Sequence, residues 1–150
     1  MNMVHQFFCV VANGLEGAVS KELESIGLLA FPSTGGVYTK VSDSEVEKLT
    51  RLRTPTAIRW QLINGRAVRS LSDFRKLLDG VDWSVFPKHA NVRLQVRTRK
   101  SKLNRSDVLD EKASRILKAI LGHPKDGAPI LPVVIRMFEN KLWVSVALHD

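Results

Sequence analysis

Residues 91–121, NVRLQVRTRKSKLNRSDVLDEKASRILKAIL, change periodicity twice within one short stretch. Val92, Leu94, Val96 and Thr98 alternate with Arg93, Gln95, Arg97 and Arg99, the pattern of a strand with one apolar and one polar face. Lys100, Lys102, Asn104 and Arg105 follow as a loop. Between Arg93 and Arg105 there are six basic residues and no acidic one. The spacing then predicts a helix capped by Ser106, with Leu109, Ala113, Ile116, Leu117 and Ile120 as its apolar stripe. Lys112, Arg115 and Lys118, three apart, line one flank of it. A half-buried strand followed by a half-buried helix demands a layered α+β domain. The loop and the helix flank together form a positively charged ledge on a rigid support, and such a surface suits phosphates.

The rest of the charge has the same bias. The chain has 150 residues and a net charge of +8. Residues 1–55 carry five Lys/Arg and six Asp/Glu, a balance of −1, whereas residues 56–150 carry 18 and nine, a balance of +9. A neutral first part joined to a basic second part points to a polyanionic partner, against the alternative of a solvated basic surface with no partner. Hydrophobic content of 44% and charged content of 25% fit a soluble globular protein, with no apolar run long enough for a bilayer span. The short apolar run Phe7–Ala12 has no basic residue before it, so it reads as a buried strand and not as a signal peptide. Cys9 lies inside that run without a second cysteine, which predicts a small core residue in a reducing, cytoplasmic setting.

In order, the chain predicts a strand over 5–12, then a helix capped by Asn13 with Glu16 and carrying Leu15, Val19, Leu23 and Ile26, ended by Gly27. Strands follow over 28–31 and 37–41, separated by the turn Ser33-Thr34-Gly35-Gly36. Ser42 with Glu45 caps a second helix bearing Val46, Leu49 and Leu52, and Thr54-Pro55 stops it. A fourth strand covers 57–63. This β-α-β-β-α-β order is that of a ferredoxin-like domain over 1–64, with Asn64-Gly65 as the turn at its junction. Residues 65–150 form a second α+β layer: a helix capped by Ser70 with Phe74, Leu77 and Leu78, the central strand and helix, a loop of Gly122, Pro124, Gly127 and Pro129, and strands over 132–138 and 142–148 joined at Glu139-Asn140-Lys141.

Several blocks carry a family likeness. Gly14-Leu15-Glu16, Glu22-Leu23 and Gly27, then Gly35-Gly36-Val37-Tyr38 and Leu52-Arg53-Thr54, are similar to the opening of bacterial-type RNA guanine-N2 methyltransferases that carry a THUMP domain. Ser72-Asp73-Phe74, Leu77 and Asp82-Trp83 resemble the entry into THUMP, and Val133–Arg136 with Leu142–Asp150 its exit. The resemblance implies a ferredoxin-like domain packed on a THUMP-type domain. It implies that this pair binds structured RNA, rRNA or tRNA, and presents it to a Rossmann-like methyltransferase domain that uses S-adenosylmethionine. The chain departs from the family in having neither a G-x-G cofactor loop after a strand nor an Asn/Asp-Pro-Pro-aromatic block. The expectation is therefore a targeting module without catalytic residues, metal or cofactor of its own, its catalytic domain outside this chain. The alternative is a stand-alone adaptor that presents tRNA to a separate modifying enzyme, and a third reading is a basic protein-interaction domain.

Weighed singly, the residues support binding more than catalysis. His5, His89, His123 and His149 show no metal-ligand spacing, and His149-Asp150 reads as a strand end. Asp107, Asp110 and Glu111 suit the positive end of a helix. The expected RNA contacts are Arg97, Arg99, Lys100, Lys102, Asn104 and Arg105, with Lys112, Arg115 and Lys118 second in rank. For these residues the competing readings are strand-edge protection, a turn role for Asn104, and an Arg115–Glu111 pair along the helix. Trp60, Trp83 and Trp143 are either stacking platforms or packing anchors, Trp83 more an anchor.

Overall fold

The computed structural model describes residues 4–149, so the expectation for Asp150 lies outside the described residues. The chain divides into two compact units, one running to Gln61 and including the last residues from Ala147, the other Leu62–Val146. Among the described residues no helix is long and apolar enough to cross a membrane.

The first unit contains β1 (Val4–Val10), α1 (Glu16–Ser25), β2 (Phe31–Ser33), β3 (Gly36–Ser42), a 3-10 helix (Asp43–Arg51) and the first half of β4 (Ala57–Ala67). Its strands run in the order β2-β3-β1-β4 with antiparallel neighbours. Alternation in β1 buries Phe7 and Cys9 among Val19 and Leu23 of α1, Val37 and Val41 of β3, Leu49 of the 3-10 helix and Ile58 of β4. Burial pushes the Cys9 thiol up to about 11, with Glu22 adding to the shift, so this cysteine packs as a small apolar group.

Three local features differ from the sequence reading. Asn13 does not cap α1. Glu16 instead accepts hydrogen bonds from Gly14 N (2.8 Å) and Gly35 N (3.3 Å), which ties the helix start to the β2–β3 turn. The second helix is 3-10, and its apolar spacing explains why. Val46, Leu49 and Leu52 recur every three residues, the period at which 3-10 side chains stack on one side. Its Ser42–Glu45 capping box forms as expected. β2 starts at Phe31, three residues later than expected, because Leu28 is recruited by the helix end. Gly27 sits at φ 83, Gly27 N bonds Glu24 O and Leu28 N bonds Leu23 O, a closure that buries Leu28 beside Leu23.

The second unit takes in the rest of β4, α2 (Leu71–Asp79), a short 3-10 turn (Trp83–Val85), β5 (Asn91–Arg99), α3 (Ser106–Leu121), β6 (Ile130–Phe138) and β7 (Lys141–His149) as far as Val146. Strand order is β4-β7-β6-β5. β5 and β6 are parallel and α3 is their crossover. α3 buries Leu109, Ala113, Ile116, Leu117 and Leu121, while Ile120 of the expected stripe stays exposed. The helix-facing row pairs Leu94 with Val133, Val96 with Ile135 and Thr98 with Met137. Ser70 caps α2 by accepting from Asp73 N (3.1 Å), and β6 turns into β7 through Glu139 and Asn140, both at positive φ. Asn64-Gly65 is not a turn. Gly65 lies within β4 at φ 73 beside the Trp143 ring, and Val68 N bonds Asn140 O just beyond the strand.

Candidate nucleic-acid interface

β5 is the edge strand of the second unit, and its alternation decides which cations meet. With Val92, Leu94, Val96 and Thr98 turned toward the helix side, Arg93, Gln95, Arg97 and Arg99 project from the opposite face and are exposed. Parallel register sets Arg97 beside Arg136 of β6, and antiparallel register sets Arg136 beside Trp143 of β7. The Arg136 guanidinium carbon stands 5.2 Å from the centre of the Trp143 ring, a cation–π pair that fixes both groups. The result is an Arg97–Arg136–Trp143 row across three strands. A groove of about 630 Å³ at the β5–β6 strand ends is lined by Arg97, Arg99 and Arg136 and also by Val96, Thr98 and Met137 of the helix-facing row.

The loop that follows β5 is pinned in place. Lys100 adopts φ 49, which reverses the chain. Ser101 Oγ donates to Arg99 O (3.0 Å), Thr98 Oγ1 donates to Asn104 O (3.1 Å), and Lys102 N donates to Asn140 Oδ1 (2.8 Å) in the β6–β7 turn. Asn140 N returns a bond to Ser101 Oγ (3.1 Å). Lys100 and Lys102 are therefore exposed cations on an ordered loop beside Arg99. Asn104 is exposed, and its carbonyl serves the turn.

The nine expected contact residues do not form one ledge. Arg97 and Arg99 project from the face of β5 away from α3, with Lys100 and Lys102 at the strand's end. The side chains of Lys112, Arg115 and Lys118 belong to the outer side of α3, which packs on the other face. Two of the nine are already engaged. Arg105 holds Asp107 through Nη2 (2.9 Å) and Nε (3.2 Å), which lowers the Asp107 carboxyl below its usual range and raises the guanidinium. Arg115 Nη2 holds Glu111 (2.5 Å), the helix pair foreseen as an alternative. Ser106 is the first helical residue instead of the cap, and Arg105 stands at the cap position, where its side chain makes no capping bond.

Sequence reasoning missed Arg136 and Phe138. Alternation along β6 puts both outward, but only the parallel register with β5 brings Arg136 beside Arg97, and no local pattern encodes that pairing. Of the tryptophans, Trp83 is a buried anchor whose Nε1 donates to Leu78 O (2.8 Å), and Trp60 packs against His5 and Phe7. Trp143 is half-buried under Arg136. His5 pairs with Asp43, and His89 Nδ1 lies 2.9 Å from His123 O. Among the described residues no group of three His, Cys, Asp or Glu is placed to hold a metal.

No protein-family model matches the sequence, and no curated protein matches it. Its fold does have solved counterparts. SMU.472, assigned as a methyltransferase and solved with SAH, superposes with a TM-score of 0.80 at 19% identity over 98% of this chain and 42% of its own. TrmN from Thermus thermophilus gives 0.69 at 16% identity over 97% and 46%. A 4-thiouridine synthetase solved with RNA and ATP gives 0.57 at 10% identity over 96% and 41%. The chain thus spans less than half the length of each of these structures and shares the fold of that part.

Proposed function

We propose that this fold serves as the RNA-positioning module of an RNA-modifying enzyme. The acid-free row of Arg97, Arg136 and Trp143, flanked by Arg99, Lys100 and Lys102, carries this reading. Guanidinium forks and lysines on an ordered support neutralise phosphates and release counterions, and the Trp143 ring holds the Arg136 guanidinium in place for such a contact. Asn104, Arg105, Lys112, Arg115 and Lys118 are secondary contacts in this reading, since they flank the row or stand on the helix side.

The strand order β2-β3-β1-β4 with antiparallel neighbours supports assigning residues 1–64 as a ferredoxin-like domain. Residues 65–150 are then the THUMP-type domain. Counterparts with different chemistry, a methyltransferase solved with SAH and a thiouridine synthetase solved with RNA, support a module that holds RNA while chemistry happens elsewhere. We assign that chemistry to guanine-N2 methylation in the cytoplasm by a further, Rossmann-like domain. S-adenosylmethionine belongs to that further domain in this reading, and no step of the reaction is routed through these residues.

Filter binding of folded tRNA and rRNA fragments at physiological salt tests the reading. Binding tighter than the range of about 10⁻⁴ to 10⁻⁶ M typical of non-specific contacts is expected for at least one folded RNA. Equal, weak retention of every polyanion would overturn it.

A further inference from the structure

A second row of rings crosses the first unit's sheet, remote in sequence from the arginine row. Register aligns Phe31 of β2 with Tyr38 of β3, Tyr38 with Phe8 of β1, and Phe8 with Arg59 of β4. All four positions alternate away from the core formed by Phe7, Cys9 and Ile58, so the row lies on the face turned from α1. The Phe8 and Tyr38 rings are 4.5 Å apart between centroids. Phe31 is 47% exposed, and Phe8 and Tyr38 are half-buried. Arg59 Nε is shielded from solvent and has no hydrogen-bond partner. Lys40 stands exposed one step along β3, and no outward residue of these strands is acidic.

A protective role explains one ring. Phe8 lies over Gly36, where a Cβ would collide with it, and aromatic cover of a strand glycine supports a sheet. That role leaves Phe31 unexplained, because its ring gains nothing from facing water on an edge strand of three residues. Rings on neighbouring strands with cations at their side are the arrangement that stacks successive unpaired bases while holding their phosphates.

We infer that the Phe31–Tyr38–Phe8–Arg59 row is a second platform, which takes unpaired nucleotides of the RNA. The inference rests on the RNA-positioning reading but places a separate contact in the first unit. Stacking is local and releases no counterions, so its loss and the loss of phosphate contacts read out differently.

The experiment compares the whole chain with its Phe31→Ala/Tyr38→Ala variant on two labelled RNAs, a blunt hairpin and the same hairpin with a short unpaired extension. Affinity for the extended hairpin is expected to fall about fivefold or more with an unchanged salt slope, while the blunt hairpin binds as before. Tyr38→Phe, which keeps the ring, should bind like wild type. Phe31→Ala alone, at the exposed position, should show the same selectivity even if the double variant loses its fold. Unchanged affinity for the extended hairpin would overturn the inference and leave this face to another occupant, such as a protein segment. Equal losses on both RNAs in the single variant would also overturn it. Either result leaves the arginine row standing, whereas a wild-type chain that binds neither hairpin removes both readings.

Discussion

Glu22 shows how much a single side chain decides in the first unit. From α1 it accepts hydrogen bonds from Arg53 N (2.9 Å), Thr54 N (3.0 Å) and the Thr54 hydroxyl, and so holds the segment that leads into β4. Burial works to raise its carboxyl, but the Thr54 and Arg53 bonds outweigh burial and leave it below its ordinary value. A carboxyl lower in the folded state than in the unfolded chain stabilises fully above the unfolded pKa, and that stability is lost as the pH falls through the folded one. Glu22→Gln is therefore expected to lower stability by about 1–2 kcal/mol at neutral pH, read by urea melts. The gap between the two proteins should close as the pH falls below the usual glutamate range. A gap independent of pH would refute the assignment. Thr39 gives the opposite sign. It is fully buried, and its hydroxyl has no hydrogen-bond partner. Thr39→Val should be neutral or stabilise by up to about 1 kcal/mol, and a clear loss in the same melts would show a missed partner.

At the scale of elements, the patterns that were legible are those that a single segment carries. The alternation of 92–99 predicts β5, the apolar stripe from Leu109 to Leu117 predicts the buried side of α3, and Ser70 predicts the start of α2. Burial of Leu117 between α3 and the sheet means that Leu117→Ala should cost about 2–5 kcal/mol by thermal or urea melting, and a cost under 1 kcal/mol would contradict the packing described. What misled was chemistry with two uses. Asn64-Gly65 is a strong turn signal, yet here glycine supplies a φ of 73° inside β4, beside the Trp143 ring, a conformation that L side chains rarely adopt. Leu28 has strand character but is spent on closing a helix. Arg105 adds to the count of cations but is tied to Asp107. Only the Gly65 choice needs a distant partner, the Trp143 strand; the Leu28 closure and the Arg105–Asp107 pair are local, but each residue also fits a second use that its own pattern does not exclude.

For the whole molecule, the net charge of +8 predicted a polyanionic partner but not where it would lie. The sequence places the cations along the chain; the strand register sorts them into a sheet face bearing Arg97, Arg99 and Arg136 and a helix flank bearing Lys112 and Lys118. With the sheet face as the proposed primary contact, Lys112→Ala/Lys118→Ala should change RNA affinity less than Arg97→Ala/Arg99→Ala/Arg136→Ala. The most direct test is the salt dependence of RNA affinity for wild type and the triple arginine variant. Six contacts from Arg93, Arg97, Arg99, Lys100, Lys102 and Arg136, at about 0.7 each on unpaired RNA, give a log–log slope near −4 for wild type and about −2 for the variant. A triple variant that keeps both the affinity and the slope of wild type would contradict the account.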